Sequence, residues 1–90
     1  MRIISQDRMT DIPYDNAVVY INRQMPTQIY VCGLDSDDGF PIGTYDTTKD
    51  AVYIMELIKT AFAYGNQCFY MPKAEDASII KLKMKDGEQE

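Results

Sequence analysis

A single stretch of helical periodicity, residues 48–64, places the strongest constraint on how this chain folds. Its apolar residues recur three and four positions apart and therefore share one side of a helix. They are Ala51, Ile54, Met55, Ile58, Ala61 and Phe62. Thr47, with Asp50 three residues later, fits a capping box at the start, and Gly65 is suited to end the helix in the left-handed conformation. We expect the apolar side to pack against structure formed by the rest of the chain.

The other apolar segments are short, rich in β-branched and aromatic residues, and bounded by turn residues, which is typical of strands. They comprise residues 17–22, 28–34, 40–45 and 67–71, with an alternating segment of apolar residues and lysines at 80–85. The first fifteen residues add two extended pieces joined by a polar turn. In the second piece, Pro13 favours extended backbone in the residue before it, Ile12. We predict an α+β fold, with a mainly antiparallel sheet of about four to six short strands and one helix, about 48–64, packed on one face.

Length and composition indicate one globular domain. The chain has 90 residues, of which 46% are hydrophobic, enough for one modest core. We expect residues 1–85 to form a single domain and 86–90 an acidic, solvated tail. No apolar run reaches the roughly 18–20 residues of a membrane helix, and the start of the chain does not resemble a signal peptide. We therefore expect a cytoplasmic protein that makes no contact with membranes.

The charge balance disfavours nucleic acid as a partner. Fourteen acidic residues against nine basic ones give a net charge of −5, whereas proteins that bind DNA or RNA rely on cations that contact phosphates. The acids concentrate in the middle of the chain, because residues 24–48 contain four acids and no base. We expect this region to form an acidic surface.

No pattern of catalytic or metal-binding residues is present. The sequence has no histidine and only two cysteines, Cys32 and Cys68, so neither a zinc site nor a histidine-based catalytic group can be assembled. The loop with Asp35, Asp37 and Asp38 begins like a calcium-binding loop, but its glycine, Gly39, comes one position early and its flanks are predicted strands. An acidic hairpin tip is the favoured interpretation. We predict a protein without catalytic residues, metal or cofactor.

The tyrosines suggest a binding surface. With regular strand alternation, the aliphatic side chains of the strands fall on one side of the sheet and several tyrosines on the other. The tyrosines are Tyr20, Tyr30, Tyr45 and Tyr70. Because one helix covers one face, we predict that at least three of them share the open face and bind a partner, together with Asp35, Asp37 and Asp38. The alternative is that the tyrosines line the margin of a small core or pair across strands.

The start of the chain also resembles a known family. Its motif residues are Met1, Arg2, Ile4, Ser5 and Asp7, followed by Asp11, Ile12, Pro13, Tyr14 and Asp15. This pattern is similar to that of small uncharacterised proteins of phages and integrative elements of Gram-positive bacteria. Two later pieces also resemble that family: Gly43, Thr44 and Tyr45 leading to Ala51, Met55 and Leu57 on the predicted helix, and residues 69–72 after it. The resemblance implies a biological setting, and it brings no catalytic residues with it.

Three functional hypotheses follow. The first is a non-enzymatic phage or mobile-element accessory protein that binds and inhibits a host protein, such as a defence protein, in the manner of an anti-CRISPR protein. The second is a small-ligand binder that sequesters a defence-signalling nucleotide, with tyrosines stacking on bases and Arg2, Arg8 or Arg23 holding phosphate. The third is a homodimeric structural protein that uses the tyrosines as its interface.

Overall fold

The computed structural model describes residues 1–35 and 38–77, which form an α+β fold with one main helix, as predicted. The elements in chain order are β1 (Arg2–Ile4), β2 (Asp11–Pro13), β3 (Ala17–Ile21), β4 (Gln28–Gly33), β5 (Phe40–Thr44), α1 (Thr48–Ala63) and β6 (Cys68–Tyr70). A short 3-10 turn, Tyr14–Asn16, joins β2 to β3. The six strands divide between two three-stranded sheets, because the hairpin at the start of the chain does not join the sheet formed by β3, β4 and β5.

The first sheet has the order β2-β1-β6. Strands β1 and β2 are antiparallel, whereas β6 returns after the helix to lie parallel to β1. Ile3 in the central strand is opposite Ile12 on one side and Phe69 on the other. Ile3 and Ile12 are buried and Phe69 is partly buried, so one face of this small sheet contributes to the core.

The second sheet has the order β3-β4-β5 and is antiparallel throughout. Ile29 and Val31 of the central strand are buried on the side of the core. The pairing of β4 with β5 contains a bulge, because Ile29 is opposite Gly43 while Tyr30 is opposite Pro41, which leaves Ile42 as an extra residue. A bulge of this kind changes the face on which all later residues of the strand lie.

Helix α1 begins where the sequence predicted. The Thr47 side chain accepts a hydrogen bond from the Asp50 amide at 3.1 Å, and Gly65 follows the helix with a φ of 78°. The helix packs against β3 and β4 and buries Ala51, Ile54, Ile58 and Ala61. Full burial of each large aliphatic side chain contributes about 1.5–3 kcal/mol, so this face is a main source of the domain's stability.

Two residues of the predicted helix face depart from the expectation. Met55 is only partly buried, and Phe62 is 47% exposed. Phe62 lies in the last turn of the helix, where its ring packs on that of Tyr14 in the 3-10 turn. The two ring centroids are 5.0 Å apart. The prediction that Phe62 is buried against the sheet is therefore wrong, because at this point the helix meets a loop.

Several predictions concern residues beyond the described part of the chain. The alternating segment 80–85, the end of the predicted domain at residue 85 and the tail 86–90 all lie outside the described residues. Within the described residues, no helix is long and apolar enough to span a membrane.

Candidate interaction surface

The β1–β2 loop is held closed by its own side chains. Ser5 Oγ donates to Asp7 Oδ1 at 2.6 Å, and the same carboxylate oxygen accepts from the Met9 amide at 2.9 Å. These hydrogen bonds, that of Ser5 first, hold the pKa of Asp7 below its ordinary value. The Thr10 amide donates to Ser5 Oγ, and Arg8 adopts a left-handed φ of 67°. The polar residues of this loop thus serve to shape a tight turn.

Other residues of the opening motif also have structural roles. Arg2 Nε donates to Asp11 Oδ1 at 2.6 Å across the β1–β2 pair, Ile12 is buried in the core, and Tyr14 packs on Phe62. The motif therefore describes a hairpin and its attachment to the helix, and none of these contacts indicates a ligand-binding site.

Gln6 joins the two sheets. Its backbone amide donates to the Ile42 carbonyl at 2.8 Å, and its side-chain Oε1 accepts from the Thr44 amide at 2.9 Å. Its Nε2 donates to the carbonyls of Thr44 and Pro72, at 3.0 and 3.1 Å. Gln6 thereby occupies the outer edge of β5, which would otherwise present unpaired backbone groups. The sequence did not single out Gln6, because its role depends on which strand edge lies beside it.

The structure places Tyr45 in the core, with 3% of its surface exposed. Its hydroxyl donates to the Pro72 carbonyl at 2.8 Å. A Cβ atom on Gly43 would lie 3.1 Å from the Tyr45 ring, so the glycine makes room for it. Burial raises the pKa of the Tyr45 hydroxyl above its ordinary value of 10.0, and the positive charge of Arg8 opposes this shift.

The bulge at Ile42 is the reason that Tyr45 does not lie on the open face. With regular alternation, the side chain of Tyr45 would lie on the other face of the sheet from that of Ile42. The extra residue shifts the alternation by one position. Tyr45 then falls on the same side as the buried residue Ile29.

Tyr70 is also separate from the other tyrosines. It belongs to β6 in the first sheet, is 59% exposed, and lies 5.1 Å from the Arg8 guanidinium. Since Tyr45 is buried and Tyr70 is in another sheet, the prediction that at least three of the four tyrosines share one face is wrong. The alternative interpretation, that tyrosines pair across neighbouring strands, applies to the remaining two, Tyr20 and Tyr30.

Tyr20 and Tyr30 lie directly opposite each other on β3 and β4, with ring centroids 5.9 Å apart. Both rings are partly buried on the side of the sheet away from the helix. Gly39 lies against the two rings, and a Cβ atom there would collide with the Tyr20 hydroxyl. We call this surface the tyrosine face, and its residues are Val18, Tyr20, Tyr30, Cys32 and Pro41.

The acidic residues lie at one end of this sheet. Asp35 and Asp38 are exposed in the connection between β4 and β5, while Asp37 is outside the described residues. Two strand ends flank this connection, Gly33 at the end of β4 and Phe40 at the start of β5. The described acids therefore adjoin the tyrosine face at one edge without forming part of it.

A groove between the two sheets was not predicted from the sequence. It has a volume of about 220 Å³ and is bordered by β2, the start of β3, the end of β4 and Phe40. It exists because the β1–β2 hairpin forms a second sheet beside β3 and β4, and residue periodicity within a strand carries no information about that arrangement.

No group of three potential metal ligands occurs among residues 1–35 and 38–77, and both cysteines are free thiols. Comparisons with protein families, with curated proteins and with solved structures find no match to this chain. The arguments about function therefore depend on the surfaces described above.

Proposed function

We propose that this protein is a non-enzymatic accessory protein of a phage or mobile element that binds and inhibits a host protein through the tyrosine face. The observation that supports this proposal best is the Tyr20–Tyr30 pair, two large aromatic side chains side by side on the open face of a sheet. Tyrosine is enriched at recognition surfaces, because it combines a rigid apolar ring with a polar end.

The surroundings of the pair suit it to binding. The two rings restrict each other's movement, and Tyr20 also rests on Gly39, so little side-chain entropy remains to be lost on association. Val18 is 43% exposed beside them and extends the apolar area. An acidic edge at Asp35 and Asp38 would speed association with a basic partner.

The biological setting in this proposal comes from the resemblance of the first fifteen residues to small phage and mobile-element proteins. Host defence proteins that handle nucleic acid have basic channels, and an acidic protein can occupy such a channel. We therefore propose an inhibitor of the anti-CRISPR kind that acts in the cytoplasm of the host cell.

The test compares the wild type with the double variant Tyr20→Ala, Tyr30→Ala. The protein is used to capture host proteins, and the affinity for any captured protein is then measured. We expect the double variant to lose about 2 kcal/mol or more of binding free energy, roughly 30-fold in affinity. The same variants are compared in a CRISPR-interference assay.

The matched control is Tyr70→Ala, which removes an exposed tyrosine from the other sheet and should leave affinity unchanged. Melting temperatures show that each variant is folded. A folded double variant that captures its partner as tightly as the wild type excludes the tyrosine face as the binding surface.

One observation favours the small-ligand hypothesis as a second candidate. The Arg8 guanidinium beside the exposed Tyr70 ring places a cation next to an aromatic surface, as a nucleotide would require. Arg2 is already paired with Asp11. Thermal-shift measurements with cyclic dinucleotides and trinucleotides test this hypothesis, because a ligand in large excess over its Kd raises stability by a few kcal/mol.

A further inference from the structure

We propose that the free edge of β3 pairs with β3 of a second copy of this chain. The two strands run antiparallel about a two-fold axis, so that the β3-β4-β5 sheets of both copies join into one continuous sheet. This inference does not depend on the proposed function. Three features of the molecule support it: the unpaired backbone groups of β3, the closed edge on the other side of its sheet, and the opposite charges at the two ends of the strand.

The hydrogen bonds at the end of β3 show which of its backbone groups face β4. Just beyond the strand, the Asn22 amide donates to the Gln28 carbonyl at 3.2 Å. Hydrogen-bonded pairs alternate with non-hydrogen-bonded pairs along an antiparallel ladder. Tyr20 and Val18, two and four positions before Asn22, therefore direct their amide and carbonyl groups toward β4.

The alternate residues of β3 direct their backbone groups to the free edge. They are Val19 and Ile21, with the carbonyl of Ala17 at the start of the strand. Among residues 1–35 and 38–77, no segment hydrogen-bonds to these groups. The strand also contains no charged residue and no proline, the usual protection of an edge strand against pairing. The edge is therefore a template for another strand.

The other edge of the same sheet is already covered. Gln6 bonds along β5, through its backbone amide to the Ile42 carbonyl and through its side chain to Thr44. A second copy can therefore extend this sheet at β3 and not at β5. Because pairing of β3 with β3 uses the free edge of both copies, the assembly closes at two chains.

One antiparallel register uses the free edge completely. When Val19 lies opposite Val19 of the second copy, these two residues exchange both of their hydrogen bonds, and each Ile21 amide meets the Ala17 carbonyl of the other copy. The same register places Val18, which is 43% exposed, opposite Tyr20 of the second copy. Pairs of a β-branched and an aromatic residue stabilise sheets. The dimer thus covers Val18 and makes the two tyrosine faces continuous.

The same register also brings opposite charges together. Asp15 lies four residues before Val19, and Arg23 lies four residues after it. Each Asp15 is therefore at the same end of the interface as Arg23 of the second copy. Both side chains are exposed, and the contact of Asp15 with the N-terminal amine, at 3.8 Å, leaves 63% of the side chain exposed. This self-complementarity favours a second copy of the chain over an unrelated peptide.

The size of the interface indicates that the dimer is weak. The five residues of β3 are far fewer than the roughly 20–30 residues a side of a standard interface. We therefore expect a monomer–dimer equilibrium with a Kd between about 1 μM and 1 mM. Analytical ultracentrifugation of the full chain over this range of concentration measures it.

Amide hydrogen exchange, followed by NMR, locates the interface. The amides of Val19 and Ile21 should exchange more slowly as the protein concentration rises, because only the monomer leaves them unpaired. At a total concentration about ten times the dimer Kd, mass action leaves about one fifth of the chains monomeric, so exchange at both amides should slow about fivefold. The amides of Val18 and Tyr20 bond to β4 in both states and are the internal control.

Charge variants test the register at about 0.15 M salt, where distant charges are screened. Asp15→Arg turns an attraction into a repulsion at both ends of the interface, so the dimer Kd should rise about tenfold although each exposed contact is weak. The double variant Asp15→Arg, Arg23→Asp exchanges the two charges and should restore the wild-type Kd. The matched control is Asp46→Arg, which changes the net charge equally at an exposed position beyond β5 and should not raise the Kd.

Several results would overturn the proposal. One is a chain that remains monomeric at about 1 mM. Another is protection of the Val19 and Ile21 amides that is the same at every concentration, because other residues of the same chain would then cover the edge. A dimer that leaves exchange at these amides unchanged, or that Asp15→Arg and Asp46→Arg affect equally, forms through another surface.

Discussion

At the scale of single residues, Tyr45 shows how one side chain can connect distant parts of this chain. Its ring lies against Gly43 and its hydroxyl bonds to the Pro72 carbonyl. The Met71 side chain would also be 3.0 Å from a Cβ atom at position 43. Together these contacts explain why a glycine follows Ile42 in β5, and why the tyrosine is part of the core.

Replacing Tyr45 by phenylalanine tests how much its hydroxyl contributes to the free energy of unfolding. The Pro72 carbonyl also accepts a hydrogen bond from Gln6, so the variant leaves no buried acceptor unpaired. We therefore expect a loss in the lower half of the range for a hydrogen bond, about 0.5–1 kcal/mol, whereas Tyr45→Ala should cost about 3–5 kcal/mol through the cavity it creates. Urea unfolding at neutral pH measures both values.

The wild type and Tyr45→Phe should also differ in how their stability depends on alkaline pH. Because burial raises the pKa of Tyr45 above 10.0, its neutral form stabilises the fold fully below pH 10, and this contribution is lost as the pH rises further. Tyr45→Phe should be less sensitive to pH above this value than the wild type. Equal alkaline destabilisation of the two proteins would contradict the assignment.

At the scale of elements, the helix and the antiparallel pairing of neighbouring strands could be predicted, whereas the register of β5 and the division into two sheets could not. Sixteen consecutive helical residues contain enough repeats to define an apolar face, and Thr47 and Gly65 mark the ends by local chemistry. The segment from Phe40 to Thr44 is too short to reveal a bulge, which is a property of two paired strands. Because the bulge was not predicted, Tyr45 was assigned to the wrong face of the sheet. The second sheet and the groove beside it also depend on which strands pair, so they were not predicted either.

The helix face can be tested by Ile58→Asp, which places a charge at a position that is 2% exposed. A buried charge without a partner costs about 4 kcal/mol or more, a large fraction of the 5–15 kcal/mol that stabilises a typical domain. We expect loss of the cooperative thermal transition. Lys59→Asp, at an exposed position on the same helix, is the matched control. If Ile58→Asp retained the melting temperature of the wild type, the assigned helix face would be incorrect.

At the scale of the whole molecule, the two sheets share one core, and their exposed surfaces differ in chemistry. Residues from both sheets and the helix belong to a single buried cluster. The junction between the sheets has a mostly apolar groove on one side and the polar bridge made by Gln6 on another. The apolar groove and the polar bridge are therefore formed by different residues, so the contribution of the bridge to the cohesion of the sheets can be tested without altering the groove.

The bridge is tested by comparing Gln6→Ala with Gln6→Glu. In the alanine variant the Thr44 amide loses its acceptor, so its hydrogen exchange should accelerate, with a loss of stability of about 1–2 kcal/mol. The glutamate variant keeps an acceptor for that amide but has no donor for the carbonyls of Thr44 and Pro72 at neutral pH. Its Thr44 amide should remain protected while its stability falls, and stability should recover as acid protonates the new carboxylate.

Exchange at Tyr45, whose amide bonds to Thr27, is the internal control. Unchanged exchange at Thr44 in Gln6→Ala would show that the sheets are held together without this bridge.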